Sequence, residues 1–153
     1  MQGVSRGFRL APIAGVAALL ASLACGPVPG GRLSGSVDAP PPDWSGLGTG
    51  LDSICEIESR PSDPHSIQLQ CYEYDGALYV HSHRWALASW YPFESWASIW
   101  LEHPDVRVRF SDSIYELHAE RVGEAALRTK LLNSRGYDSV PEGILLFHLR
   151  PRS

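Results

Sequence analysis

The chain has 153 residues, and its 13 basic and 17 acidic side chains give a formal net charge of −4 at neutral pH. A protein that binds nucleic acid draws most of its affinity from a basic surface, so this balance argues against nucleic acid as a partner. The length allows one domain with a single hydrophobic core.

The N-terminus has the organisation of an export signal. Arg6 and Arg9 precede an apolar run over residues 10–24. This run is shorter than the stretch of about 20 apolar residues that spans a bilayer, and a basic start followed by a short apolar run is typical of a signal peptide. We therefore predict that residues 1–24 are removed during export.

Cys25 stands directly after the small residues that end this run. The segment Ser22-Leu23-Ala24-Cys25 resembles a bacterial lipobox. It predicts a lipoprotein whose Cys25 carries lipid, palmitate included, in the cell membrane or outer membrane, with the protein facing the periplasm or exterior. The alternative is an ordinary secretory signal that leaves Cys25 as an unmodified thiol.

Residues 25–50 differ in composition from the remainder of the chain. Residues 26–50 hold seven Gly and five Pro, a composition that cannot build a core, and we predict that 25–50 is a lipidated, flexible tether. With the signal removed, 11 basic and 17 acidic residues remain and the formal charge is −6. Lipid rather than charge would then hold the chain at the membrane, and the folded domain would span 51–153.

The domain begins with two alternating segments around a Pro-containing turn at residues 60–65. A hairpin centred on Asp63 would pair Cys55 with Cys71 directly and place both on the apolar face. In an oxidising compartment this arrangement favours a disulfide between them. Two reduced thiols in the core are the alternative.

A second hairpin is predicted at Asp75-Gly76, a dipeptide typical of a type I′ turn. This turn pairs Tyr72 with Tyr79 and Cys71 with Val80. One face of the hairpin is then apolar core. The other face is polar and aromatic, which suits solvent, a ligand or a partner subunit.

The remaining pattern predicts an aromatic loop, two helices and three strands. The helices are expected over residues 94–101 and 123–133, and the strands over 106–110, 113–119 and 143–149. Val108 pairs with Tyr115 in the hairpin between the first two of these strands. The fold class is therefore mostly β (α+β), a small antiparallel barrel or sheet with two short helices.

Two stretches carry a family resemblance. The hairpin over residues 74–82 and the Trp96–Val108 passage from helix to strand resemble the split-barrel flavin-binding superfamily typified by pyridoxamine phosphate oxidase, in particular its deazaflavin-dependent nitroreductase-like branch. The resemblance implies a split β-barrel, FMN or a deazaflavin as cofactor, and a homodimer. It marks four residues for cofactor binding: Ser82, His83, Arg84 and Trp96.

The sequence also departs from that family. The basic Gly-Arg-Lys-Ser-Gly type element is absent, and Ser95 and Trp96 stand where a Lys is frequent. Two hypotheses therefore stay open. The first is a membrane-anchored lipoprotein whose barrel binds a flavin or deazaflavin in an oxidoreductase role. The alternative is a non-catalytic cell-envelope lipoprotein that uses the barrel as a binding or structural module.

The polar segment His81-Ser82-His83-Arg84 is the main candidate for ligand contact. Its imidazoles and guanidinium suit a phosphate or carboxylate. A metal would need further ligands beside His81 and His83, and His65 or His118 are the candidates, although no spacing rule selects them. The alternative is a solvated strand face. The sequence holds no nucleophile motif or phosphate loop that would name a reaction.

Overall fold

The computed structural model describes residues 30–47, 54–60, 62–83 and 95–152. These residues form seven strands, two α-helices and one short 3-10 turn at Ser45–Leu47. The bounds are β1 Ser36–Asp38, β2 Ile54–Ser59, β3 His65–Tyr74, β4 Ala77–His81, α1 Trp96–Glu102, β5 Asp105–Phe110, β6 Ser113–Arg121, α2 Ala125–Ser134 and β7 Leu146–Pro151.

Six of the strands close into an antiparallel barrel. Their order is β6-β5-β2-β3-β4-β7, and β7 pairs again with β6 to complete the ring. β1 adds a seventh strand, parallel to β6. The predicted fold class, a small mostly β split barrel with two short helices, is confirmed. β7 overlaps the strand predicted over residues 143–149, and it has a partner on each side.

The β3–β4 hairpin has the predicted register. Asp75 and Gly76 take φ values of 53° and 74°, which is the left-handed backbone that a type I′ turn requires at both central positions. Tyr72 lies opposite Tyr79. The β5–β6 hairpin also has its predicted register, with Val108 opposite Tyr115. A two-residue turn leaves no freedom to slide the strands.

The predicted register of the β2–β3 hairpin is wrong by two residues. Cys55 lies opposite Leu69 instead of Cys71, and Ile57 lies opposite Ile67. A shift of two keeps every side chain on its predicted face, so alternation alone does not reveal it. The longer turn between these strands does not fix its own centre. Cys55 and Cys71 are diagonal neighbours with Cα atoms 5.9 Å apart, and a disulfide joins them.

Both helices are followed by a residue that typically ends a helix, and α1 also has a side-chain cap at its start. The Ser95 hydroxyl caps α1 by accepting a hydrogen bond from the Ser98 N–H at 3.2 Å. Pro104 lies two residues after the helix, which it cannot continue. α2 is followed by Gly136, whose φ of 83° suits glycine. Among the described residues, neither helix has the length and hydropathy needed to cross a bilayer.

The barrel interior is filled by one apolar cluster, which we call the interior cluster. It includes the disulfide and rings from both helix and strand. Trp100 and Phe147 are the largest fully buried side chains, with ring centroids 5.3 Å apart. The Trp100 indole N–H donates to the Ser59 hydroxyl at 2.9 Å, so the buried donor has a partner.

Residues 30–47, which we call the N-terminal strap, lie within the segment predicted as a tether. In the structure they contact the barrel. Leu33 and Trp44 are each only 5% exposed. The Trp44 ring joins the interior cluster, with its centroid 5.2 Å from that of Tyr115. A few apolar anchors are thus enough to fix a Gly- and Pro-rich segment on a folded surface. The predicted signal peptide and Cys25 lie outside the described residues.

Candidate functional site

Ser82 comes directly after β4 and is fully buried. Its N–H donates to the carbonyl of Leu145 at 2.8 Å, and its hydroxyl accepts from the Leu145 N–H at 2.9 Å. The same hydroxyl donates to the His83 carbonyl at 3.1 Å. The side chain therefore extends the pairing between β4 and the chain entering β7, and its hydrogen-bonding groups are used within the fold.

Trp96 is the first residue of α1 and is half-buried. Its ring centroid lies 4.6 Å from that of Trp100 and 6.0 Å from that of Phe147. The ring thus packs against the interior cluster. Ser82 and Trp96 therefore contact neighbouring parts of the chain, Leu145 just before β7 and Phe147 within it.

The two histidines of the candidate segment have different surroundings. The His81 ring lies among aromatic rings, 5.8 Å from Tyr72 and 5.5 Å from Tyr137 between centroids. Burial lowers the pKa of His81 below its ordinary value of 6.5, and the charge of Arg135 lowers it further. His83 is exposed. Arg84, the fourth residue marked for a cofactor, lies outside the described residues.

The polar and aromatic face of the β3–β4 hairpin is covered by α2 and the chain around it. Together these residues form a second apolar cluster, which we call the outer cluster: Tyr72, Tyr79, Val122, Leu131, Leu132, Ile144 and Leu146. Sequence reasoning left this face open to solvent, a ligand or a partner. The apolar residues of α2 were the available signal that something covers it.

In and beside the outer cluster lie buried polar groups that have no hydrogen-bond partner among the described residues. Tyr72 is 2% exposed, and its hydroxyl has no hydrogen-bond partner among the described residues. The Arg135 guanidinium lies over the same ring, 5.1 Å from its centroid, and Arg135 Nε is likewise buried without a partner there. Burial raises the pKa of Tyr72 strongly, so its hydroxyl stays protonated at neutral pH.

Two open grooves, of about 760 and 560 Å³, lie on the charged outer surface near the start of β5. Eight of the side chains that line them form four pairs: Arg150 with Glu120 at 2.7 Å, His118 with Asp105 at 2.9 Å, Arg107 with Glu58 at 3.1 Å and Arg152 with Glu116 at 3.7 Å. Because the charges neutralise each other, these grooves offer no surplus of either sign to a ligand.

No group of three or more metal-ligating side chains forms within the described ranges. His81 packs against tyrosine rings, and His118 pairs with Asp105 on another face. The structure therefore does not bring these two histidines together around a common point.

A flavin site can be compared with the three described residues that the resemblance marks, of which His83 is exposed. Ser82 is enclosed and its hydroxyl already bonds to Leu145 and His83. Trp96 packs on the interior cluster. The Ser82 hydroxyl could reach a phosphate only by breaking contacts that hold the chain entering β7, whereas Trp96 keeps part of its ring exposed. Ser82 therefore does not fit the cofactor as the protein stands, the cofactor site as a whole stays a prediction, and we derive no chemistry through it.

Comparisons with known proteins add a likeness at the level of the fold. A scan against protein-family models finds no match, and a search of the curated proteins finds no relative. Among solved structures, the chain is similar to a pyridoxamine 5′-phosphate oxidase-like protein from Listeria innocua, with 13% identity and a TM-score of 0.49 over 65% of this chain and 84% of that chain.

Two further solved structures are similar in the same way. A NimC/NimA family protein from Clostridium acetobutylicum has 14% identity and a TM-score of 0.45, covering 63% of this chain and 72% of its own. A second pyridoxamine 5′-phosphate oxidase-like protein, from Corynebacterium glutamicum, has 15% identity and a TM-score of 0.39, covering 66% and 80%. At these values no activity passes from these proteins to this chain.

Proposed function

We propose that this chain is an exported lipoprotein, anchored through lipid on Cys25, whose split barrel acts as a binding or structural module at the cell envelope. We favour a module over a flavin enzyme because of the burial and the hydrogen bonds of Ser82. Its hydroxyl is buried and engaged with Leu145 and His83, so one of the four residues marked for the cofactor holds the barrel together instead.

Export is supported by the disulfide as well as by the N-terminal sequence. Cys55 and Cys71 are 1% and 0% exposed. Their bond belongs to the interior cluster. A core built around such a bond suits an oxidising compartment, since the cytoplasm keeps thiols reduced.

The lipid is tested by intact mass and by membrane association. We expect the mature chain to begin at Cys25, to carry the mass of its acyl chains and to float with membranes. A Cys25→Ala variant should be released from the membrane. A mature chain that starts at Cys25 without acyl mass, or a wild-type chain that stays soluble, would refute the anchor.

Flavin binding is tested on the detergent-solubilised mature protein. We expect no saturable quenching when it is titrated into flavin mononucleotide or a deazaflavin. Saturable quenching at low micromolar protein, abolished in Arg84→Ala, would overturn the module and establish a cofactor-binding oxidoreductase candidate in its place. Ser82→Ala serves as the structural comparison, since it should lower stability whether or not a flavin binds.

A further inference from the structure

The N-terminal strap is fixed to the barrel from its first described residue. The Gly30 N–H donates to the Ser66 carbonyl at 2.8 Å, and the Gly30 carbonyl accepts from the Ser66 N–H at 3.0 Å. A Cβ at Gly30 would lie 2.5 Å from the Ser66 hydroxyl, so this close approach suits glycine. Ser66 is the second residue of β3. The strap therefore starts at the barrel end that carries the β2–β3 turn.

A buried ion pair holds the strap three residues further on. Glu58 is 3% exposed and accepts hydrogen bonds from the Leu33 N–H at 2.6 Å and from Arg107 Nη1 at 3.1 Å. Arg107 Nη1 also donates to the Leu33 carbonyl at 3.2 Å. Releasing Leu33 would deprive a buried carboxylate of one of its donors, which is costly.

The strap then runs to the opposite end of the barrel. β1 lies beside β6, and the Trp44 N–H donates to the Gly76 carbonyl at 3.0 Å. Gly76 belongs to the β3–β4 turn, whereas Ser66 lies next to the β2–β3 turn. Since these turns are at opposite ends of β3, the strap passes along the barrel and is held at both ends.

This attachment sets how far the barrel can stand from a lipid on Cys25. Five peptide steps separate Cys25 from Gly30, and fully extended they reach about 17 Å. A free tether over residues 25–50 would reach about 85 Å when extended and average about 28 Å as a flexible coil. Because the strap is fixed to the barrel from Gly30 onward, only residues 25–30 connect the lipid to the barrel, at the end that carries the β2–β3 turn.

We infer that the barrel is held against the lipid surface with its β2–β3 turn foremost, and that the β3–β4 and β5–β6 turns point away from the bilayer. This inference rests on the proposed lipid at Cys25. The short connection to Cys25 keeps the barrel close to the bilayer, so this orientation does not require a basic protein surface. The remaining formal charge of −6 would only weaken the approach to anionic lipid, by repulsion that salt screens.

The orientation is tested by energy transfer from the barrel to the membrane. Ser62→Cys places a thiol in the β2–β3 turn, and Asp112→Cys places one in the β5–β6 turn; both positions are exposed. Each lipidated variant is labelled with a donor and inserted into vesicles that carry acceptor-labelled headgroups. The two positions differ by about 25 Å along the barrel, so we expect roughly twofold more transfer from position 62.

The matched control is a flexible Gly/Ser insertion of about 20 residues after Gly26, which leaves every strap contact in place. The insertion should lower the energy transfer from position 62, so that the transfer efficiencies at positions 62 and 112 become similar. A lipidated chain with equal transfer from both positions, or with no response to the insertion, overturns this inference alone. A chain without acyl mass on Cys25 overturns both this inference and the proposed anchor.

Discussion

The interior cluster and the outer cluster both bury apolar side chains, but they differ in the polar groups that are buried with them. The interior is apolar rings, branched side chains and a disulfide, and its buried indole donor has a partner in Ser59. The outer cluster buries a tyrosine hydroxyl without a described partner, and a histidine and an arginine pack against its Tyr72 ring. The comparison suggests that the interior supplies most of the stability, while the outer cluster makes that stability depend on pH and polar contacts.

The largest expected effect is at Trp44, which closes the interior cluster from the strap. Trp44→Ala removes a ring that is 5% exposed and packs against Phe110 and Tyr115. Loss of a buried Trp costs about 3–5 kcal/mol, and we expect a loss of that size in the free energy of urea unfolding. Val37→Ala, at an exposed position of the same strap, should change it by less than about 0.5 kcal/mol.

This pair of variants decides whether the strap belongs to the domain. A tether that only joins the barrel to lipid would tolerate both changes equally. Equal and small effects of Trp44→Ala and Val37→Ala would therefore return residues 30–47 to the role of a tether.

The disulfide is the next largest contribution. Cys55 and Cys71 close a loop with a sequence separation of 16, for which the loss of chain entropy in the unfolded state is worth about 3 kcal/mol. The double variant Cys55→Ala, Cys71→Ala should lower the free energy of unfolding by about that amount. If the loss is no larger than that from two exposed alanine substitutions, the bond adds nothing to the interior cluster.

His81, which packs against Tyr72 of the outer cluster, should make the free energy of unfolding depend on pH. Because burial holds its pKa below 6.5, the native state keeps it neutral where the unfolded chain already binds a proton. The free energy of unfolding should therefore fall as the pH drops below about 6.5 and level off below the native pKa, by about 1.4 kcal/mol for each unit of pKa depression. Unfolding at pH 7.5 and at lower pH measures this.

His81→Phe is the matched variant, since it keeps a ring between Tyr72 and Tyr137 but cannot titrate. It should lose the part of the pH dependence that His81 contributes. His148, whose pKa burial also lowers, would retain its share. An unchanged pH profile in His81→Phe would mean that His81 does not titrate differently in the folded and unfolded states.

The sequence was sufficient for β2 to β7, for both helices and for the register of two of the three hairpins. The turns at Asp75-Gly76 and Ser111-Asp112 are too short to allow sliding, and alternation then fixes every pair. The composition of the turn over residues 60–65 allows more than one centre, and the observed register therefore differs from the predicted one by two residues. The strap was missed because its composition is that of a linker, and only isolated residues such as Trp44 signalled packing.

The candidate site was harder to predict, because the same residue types serve ligands and cores. Ser82 comes after a strand, where a hydroxyl can hold a phosphate or close a sheet, and only the position of Leu145 decides between them. Trp96 begins a short helix and turns toward Phe147 rather than an open pocket. Arg135 was not singled out, because its place over Tyr72 arises from the packing of α2 on the hairpin.

The smallest expected effect is the most specific to the outer cluster. Tyr72→Phe removes a hydroxyl that is buried without a described partner and keeps the ring beneath Arg135. An unpaired buried hydroxyl carries a desolvation cost, so the variant should equal the wild type or exceed its unfolding free energy by up to about 1 kcal/mol. Tyr72→Leu also removes the ring and should lower stability by about 1–3 kcal/mol. A loss above about 1 kcal/mol in Tyr72→Phe would mean that the hydroxyl has a partner in the folded protein. The outer cluster would then be as fully satisfied as the interior, and the contrast between them would rest on His81 alone.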